Sequence, residues 1–246
     1  MKKKNYALVL MKKLTVVIFG ALSSVLEKCL ELTTKVTFYA TWFYDAPDYF
    51  DHKFDLYYVW KAKNSINWID RGVLNSIAIS KFDRPKVMEL CCGDGFFTRM
   101  FYRNISDEVF AYDYCEEAIK HARSHYQIKG LQFEVLDINC LDVNKYKDDN
   151  ITNVIFDAAI AYFSEKQTED MLIKVKAILA KKKGIFSGTC PLNKDEEIKN
   201  TYQRFDCPEK LEILLGRYFN NVKVITIKYK ERTNMHFYAS DSIIDI

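Results

Sequence analysis

The 246-residue chain has little glycine and little proline, 8 and 4 residues. That excludes a collagen-like chain and argues against a solenoid of tight turns. It lacks an excess of charge of either sign: 36 Lys and Arg face 33 Asp and Glu, a net +3. A dedicated nucleic-acid binder needs a concentrated basic face, so no nucleic-acid partner is expected. The seven cysteines include no C-x-x-C pair, and only four histidines accompany them. A structural zinc site wants closely spaced thiolates, so no metal is expected. An odd number of cysteines cannot all pair within one chain. They read as reduced thiols serving as small apolar residues, in keeping with a reducing cytoplasm. What the chain has in quantity is aromatic residues, with 16 Tyr and 17 Phe, and an apolar content of 49%. That is globular composition, and the length suits one to two domains.

Positive charge and apolar residues are concentrated at the N-terminus. Met1-Lys2-Lys3-Lys4 and Lys12-Lys13 precede a charge-free run of 13 residues, Leu14 to Leu26. A bilayer-spanning helix needs about 20 apolar residues, so the run is short. No small-residue cleavage site follows, which argues against a secretory signal. Leu14, Val17, Ile18, Ala21, Leu22, Val25, Cys29 and Leu32 recur at i, i+3, i+4 spacing, one face of a helix. Residues 1–34 are therefore expected to form a basic, amphipathic helix. It either lies in a membrane interface or packs on protein. A cytoplasmic location, peripheral to the inner face of a membrane in the first case, follows. Residues 35–246 are expected to be the main domain, with 35–80 an aromatic cap.

From Pro85 onward strands and helices alternate. Strands are expected at residues 86–90, 108–112, 131–136, 153–156 and 184–188, with helices at 96–103, 116–127 and 168–181 between them. This pattern is an α/β fold, a three-layer sandwich on a mostly parallel seven-stranded sheet. Val222–Tyr229 and Met235–Ala239 are separated by about five residues, too few for a parallel crossover, so they close the sheet as an antiparallel hairpin.

Ligands of open α/β sheets bind at the carboxyl ends of the strands. The first strand runs into Glu89-Leu-Cys91-Cys92-Gly93-Asp94-Gly95; the next three end at Asp113, Asp137 and Asp157. Gly93 and Gly95 allow a sharp turn and a close approach of backbone to ligand. The helix starting near Phe96 aims N–H groups at the same place, which suits a carboxylate. Asp113 suits a pair of ribose hydroxyls, and Asp137 an exocyclic amine. Together they suit a nucleoside with an amino-acid tail.

Glu89-x-x-x-Gly93-x-Gly95 resembles the first motif of the class I S-adenosylmethionine-dependent methyltransferases, with Cys91 in place of that motif's first glycine. The resemblance covers residues 71–241. It implies S-adenosyl-L-methionine as cofactor, held by Glu89, Cys91, Gly93, Gly95, Asp113, Tyr114, Asp137, Ile138 and Asp157. No third glycine follows at dehydrogenase spacing, because position 98 is Thr98. Asp157-Ala-Ala-Ile160 matches the segment beside the transferred methyl.

Methyl transfer is an in-line displacement that needs alignment at about 3–3.5 Å and exclusion of water. A base is required only for a protonated acceptor. Where many small-molecule members carry a His, this chain has Ala161-Tyr162-Phe163, leaving Asp157 and Tyr162 as catalytic candidates. His236, in a strand, reads as a satisfied structural histidine. Tyr57, Tyr58, Trp60, Trp68, Arg71 and His52 are candidates for a substrate cover. The expected function is methyl transfer to a small-molecule, sugar- or lipid-linked acceptor. The alternative is a cofactor-binding module that has lost catalysis and serves as an interaction domain.

Overall fold

A computed structural model describes residues 6–44, 66–146, 148–179, 183–192, 202–230, 232–243 and 245. The chain divides into two units, residues 1–64 and 65–246. In the first, one helix, α1, runs Tyr6–Tyr44. The boundary expected at residue 34 falls inside it. Leu14 and Val17, in the stripe read from the sequence, are exposed, and so are Leu26 and Phe19 at its edge and Val16 on the far side. Val9–Thr33, with a mean hydropathy of 1.8 in its most apolar window, is long and apolar enough to cross a membrane.

The second unit opens with α2 (Ile66–Ile79). There follow β1 (Lys86–Leu90), β2 (Glu108–Asp113), α3 (Glu116–His125), β3 (Leu131–Val135), β4 (Asn153–Ile155), α4 (Glu165–Leu179), β5 (Ile185–Pro191), α5 (Pro208–Gly216), β6 (Asn221–Lys228) and β7 (Thr233–Ser240). The seven strands pair in the order β3-β2-β1-β4-β5-β7-β6. The first five are parallel; β7 runs antiparallel to both β5 and β6. The sheet's order reverses at β1, so the crevice outside β1 and β4 is the expected ligand position.

Alternation along the strands gives the sheet two different faces. Met88, Leu90, Val154, Phe156, Phe186, Cys190, Met235, Phe237 and Ala239 join one apolar cluster with Leu172 and Val175 of α4 and Leu211 and Leu215 of α5. The opposite face, under α2, is apolar only in part. Ala78, Ile185 and Tyr238 cluster there, beside buried Glu89, Asn153, Ser187, Thr189, Asn234 and His236. Hydrogen bonds fasten α2 over these polar groups: Asn153 Nδ2 donates to Ala78 O (3.0 Å), Tyr238 Oη to Leu74 O (3.0 Å) and Tyr229 Oη to Asp70 Oδ2 (2.8 Å).

The helix expected over residues 96–103 is irregular. After Phe97 the chain forms a π-helical turn, Thr98–Tyr102, then a 3-10 turn, Arg103–Ile105. Buried Tyr102 hydrogen-bonds to Asn75 of α2 (3.2 Å), and the ring of Phe101 lies against Gly72, within 2.5 Å of where a Cβ would stand. The wider turn seats both rings against α2; π-turns of this kind recur at functional sites.

Candidate functional site

The turn after β1 needs left-handed backbone at three positions: Cys91 (φ 60°), Gly93 (φ 59°) and Gly95 (φ 79°). Glycine adopts this region freely. At Cys91 it costs about 1–2 kcal/mol, so the cysteine is accommodated with backbone strain. At Gly95 a Cβ would also stand 2.6 Å from the Phe133 ring.

Asp113 fixes this turn to the end of β2. Its Oδ2 accepts Gly93 N–H (2.8 Å) and its Oδ1 accepts Cys115 N–H (3.0 Å). Asp94 Oδ1 accepts Phe96 N–H (3.1 Å), so one of the N–H groups expected to face a ligand carboxylate is capped by the chain itself. Asp137 is exposed and caps its own turn, accepting Asn139 N–H at 2.9 Å, while Ile138 is buried. Tyr114 and Tyr162 lie at the surface, 62% and 50% exposed.

Asp157 follows β4 and meets α2. Arg71 Nε and Nη2 both donate to its Oδ2, at 2.9 and 2.6 Å. The guanidinium also lies 4.6 Å from the Phe97 ring centre and 5.9 Å from that of Trp68. Trp68 packs edge-on against Phe96. Arg71 thus reaches the end of β4, with Trp68 beside it. His52, Tyr57, Tyr58 and Trp60 lie outside the described residues.

Glu89 is buried on the α2 face, where Thr98 Oγ1 donates to its Oε2 (2.5 Å). Burial, helped by the nearby Asp157 and Asp113 carboxylates, pushes its pKa up from 4.5 to about 8. The folded state therefore holds a proton that the unfolded state releases above pH 4.5. This contribution to stability is complete below pH 4.5 and is lost as pH rises through 8, a change on the order of a few kcal/mol. Glu89→Gln cannot titrate. Urea denaturation at pH 5.5 and 8.5 should show the variant gaining on the wild type as pH rises. Equal pH dependence would contradict the assignment. Burial also pushes the Cys91, Cys92 and Cys190 thiols up, so they are neutral small groups and not nucleophiles.

The sequence reading missed a buried polar row. Ala158 N–H donates to Thr189 O at 2.8 Å, and Thr189 pairs with His236 across β5 and β7. Asp157, Thr189 and His236 therefore stand side by side at the strand ends, under α2. Thr189 Oγ1 and His236 Nδ1 are 3.0 Å apart. The histidine is only half satisfied: His236 Nε2, Asp157 Oδ1 and both side-chain polar atoms of nearby Asn234 are buried with no hydrogen-bond partner among the described residues. Period-two polarity in Ser187-Gly-Thr189 and Asn234-Met-His236 was the available signal. It reads as a solvent-facing strand until α2 is known to cover it.

Residues 87–182 match the family model of a methyltransferase domain. With the strand order above, this decides the fold. It is the fold of the class I S-adenosylmethionine-dependent methyltransferases. Solved structures agree. An S-adenosylmethionine-dependent methyltransferase from Archaeoglobus fulgidus superposes with a TM-score of 0.58 at 14% identity, covering 76% of this chain and 100% of its own. The N-methyltransferase NodS from Bradyrhizobium japonicum, solved with S-adenosyl-L-homocysteine, gives 0.59 at 12% identity over 74% of this chain and 92% of its own. The PH0226 protein of Pyrococcus horikoshii gives 0.53 at 18% identity, over 72% and 92%. No curated protein sequence matches the chain. This methyltransferase fold brings Glu89, the glycine turn, Asp113, Asp137 and Asp157 to one end of four adjacent strands.

Proposed function

We propose that the chain is an S-adenosyl-L-methionine-dependent methyltransferase acting on a small-molecule, sugar- or lipid-linked acceptor. The observation that carries this reading is the joint placement of the glycine turn and three aspartates at the carboxyl ends of β1, β2, β3 and β4. The residues present suit the cofactor chemically. Gly93 and Gly95 keep the turn free of side chains. Each oxygen of Asp113 accepts one backbone N–H, and a carboxylate, with about four lone-pair sites and no donor, suits ribose hydroxyls. Exposed Asp137 and buried Ile138 offer an acceptor and an apolar surface for a base, and Tyr114 offers a ring beside them. When bound, the cofactor supplies an electrophilic methyl group on a sulfonium. The protein's part is to hold that methyl in line with the acceptor and to exclude water.

Asp113 has a structural duty too, so alanine is a poor probe: it would orphan two backbone N–H groups. Asp113→Asn keeps one acceptor oxygen and removes the charge. Calorimetric titration with S-adenosyl-L-homocysteine should show binding by the wild type, and a loss of roughly 10–100-fold in Asp113→Asn, the worth of a charge-assisted hydrogen bond. Absence of wild-type binding would reject the reading.

The N-terminal helix supports action at a membrane. Val9–Thr33 is long and apolar enough to cross a membrane, spanning about 38 Å at 1.5 Å per residue, and Lys12 and Lys13 suit an anionic leaflet. The full chain should float with vesicles containing anionic lipid and resist high-salt extraction. Val17→Asp with Leu22→Asp should stay in the aqueous layer. Equal flotation of the two would reject the membrane role.

A further inference from the structure

The methyl acceptor's place is the second question the site poses. This inference rests on the methyltransferase reading and deepens it. Buried polar atoms without partners are rare in folded proteins, and each costs about 1–3 kcal/mol. Among the described residues four such atoms lie close together: Asp157 Oδ1, His236 Nε2, and Asn234 Oδ1 and Nδ2. Asn234 and His236 are 0% and 1% exposed, and the Asp157 side chain 5%. Asp157 follows β4, the neighbour of β1, while His236 and Asn234 stand on β7, paired with Thr189 and Pro191 at the carboxyl end of β5. The Asp157 end of the patch therefore adjoins the strand that carries the glycine turn.

Its chemistry specifies the ligand. Three of the four atoms can accept a hydrogen bond and one, Asn234 Nδ2, donates. The ligand must therefore be rich in donors. The patch also carries no net charge: Asp157 is paired with Arg71, and burial holds His236 neutral by lowering its pKa to about 4. A cation or anion placed there would be a lone buried charge, which is costly. A neutral hydroxyl group meets both conditions.

We propose that Asp157, Asn234 and His236 form the acceptor pocket for a neutral, hydroxyl-bearing substrate, with His236 Nε2 taking the proton of the methylated hydroxyl. For this, His236 Nδ1–H donates to Thr189 Oγ1, which leaves the Nε2 lone pair facing the pocket. The acceptor oxygen forms a bond to the methyl carbon. The methyl–sulfur bond breaks and its electron pair stays on sulfur, giving the neutral thioether. The hydroxyl proton passes to Nε2. One positive charge, on sulfonium, is lost as one forms on imidazolium, so the charge within the site is unchanged. Burial disfavours the imidazolium alone, and it disfavours the sulfonium that precedes it for the same reason. The charged groups facing His236 are Asp157, after β4; Arg71 and Asp70, on α2; and Arg232, before β7. Asp157 favours the imidazolium, and with Asp70 offsets the two arginines.

Three measurements on the full chain test the pocket. Thr189→Val with His236→Leu removes both partners of the internal hydrogen bond. If the patch exists to bind a ligand, filling it with apolar atoms should leave the melting temperature unchanged or higher. A fall of more than about 5 °C at constant fold, the mark of a structural histidine, would overturn the proposal. Nitrogen NMR of imidazole-labelled protein should show the proton on His236 Nδ1; a proton on Nε2 would overturn it. Finally, methyl-tritiated S-adenosyl-L-methionine is incubated with the small-molecule part of a cell extract, then divided by cation and anion exchange. Label should enter the fraction that neither exchanger retains, and fall about 100-fold or more, the lower end of general-base catalysis, in His236→Asn, a smaller change that guards against a misfolded double variant. Label in the charged fractions, label undiminished in His236→Asn, or no label at all would overturn it. S-adenosyl-L-homocysteine binding by all the variants should equal the wild type's. Its absence from the wild type would instead defeat the underlying methyltransferase reading.

Discussion

Arg71→Ala is expected to destabilise the 65–246 unit by about 3–5 kcal/mol, the cost of stripping one partner from a buried ion pair. Asp157 is 5% exposed at its side chain and Arg71 11%, so solvent cannot replace the lost guanidinium. Both Nε and Nη2 converge on one oxygen, Oδ2, while Oδ1 has no partner among the described residues. The carboxylate would be left as an uncompensated charge. The substitution also removes a cation–π contact with Phe97, and with it the link between α2 and the end of β4. Urea denaturation followed by circular dichroism measures the loss. Arg71→Met with Asp157→Asn removes both charges and should recover most of it, because the main cost lies in the orphaned charge and not in the missing attraction. A loss below 1 kcal/mol in Arg71→Ala would mean that the pair is solvated, as surface pairs are.

Gly188→Ala is the second large effect. Gly188 stands in β5 between Ser187 and Thr189, on the face opposite the polar row. A Cβ there would collide with the carbonyl oxygen of Phe156 and come within 2.8 Å of the Phe237 ring. The first obstacle is backbone of the neighbouring strand, held by Phe156 N–H to Ser187 O (2.9 Å) and Ala158 N–H to Thr189 O (2.8 Å). A side chain could rotate away; this ladder cannot without losing hydrogen bonds. The expected cost is about 3 kcal/mol or more, beyond ordinary overpacking, and thermal melting should show it. Gly20→Ala makes the contrast. Gly20 lies in α1 with nothing within 4 Å of the added Cβ, so alanine should favour that helix by about 1 kcal/mol.

The sheet was legible because its signals are local. Val87 to Leu90, Val109 to Asp113 and Val154 to Asp157 are short apolar runs that end on a turn or an acid, and strand ends are where chain direction and ligand chemistry meet. The closing hairpin was legible from connection length alone. What escaped depended on neighbours distant in sequence. His236 was read as a satisfied structural histidine and Thr189 was not singled out, because nothing in their own segments says that α2 covers them. Arg71 and Asp157 were named separately, but their pairing spans 86 positions. The π-turn at Thr98–Tyr102 reflects Phe101 and Tyr102 packing on Gly72 and Asn75, which propensity cannot see. Cys91, in place of the motif's first glycine, fits at the cost of a left-handed backbone, a question of dihedral angle and not of volume.

The most direct test of the account is a crystal structure of the full chain with S-adenosyl-L-homocysteine. The ribose hydroxyls are expected on Asp113, the adenine beside Asp137 and Ile138, the methionine end against Gly93 and Gly95, and the sulfur turned toward Asp157. Ligand bound elsewhere, or a well-ordered crystal grown at saturating ligand with none bound at the ends of β1 and β2, would contradict it.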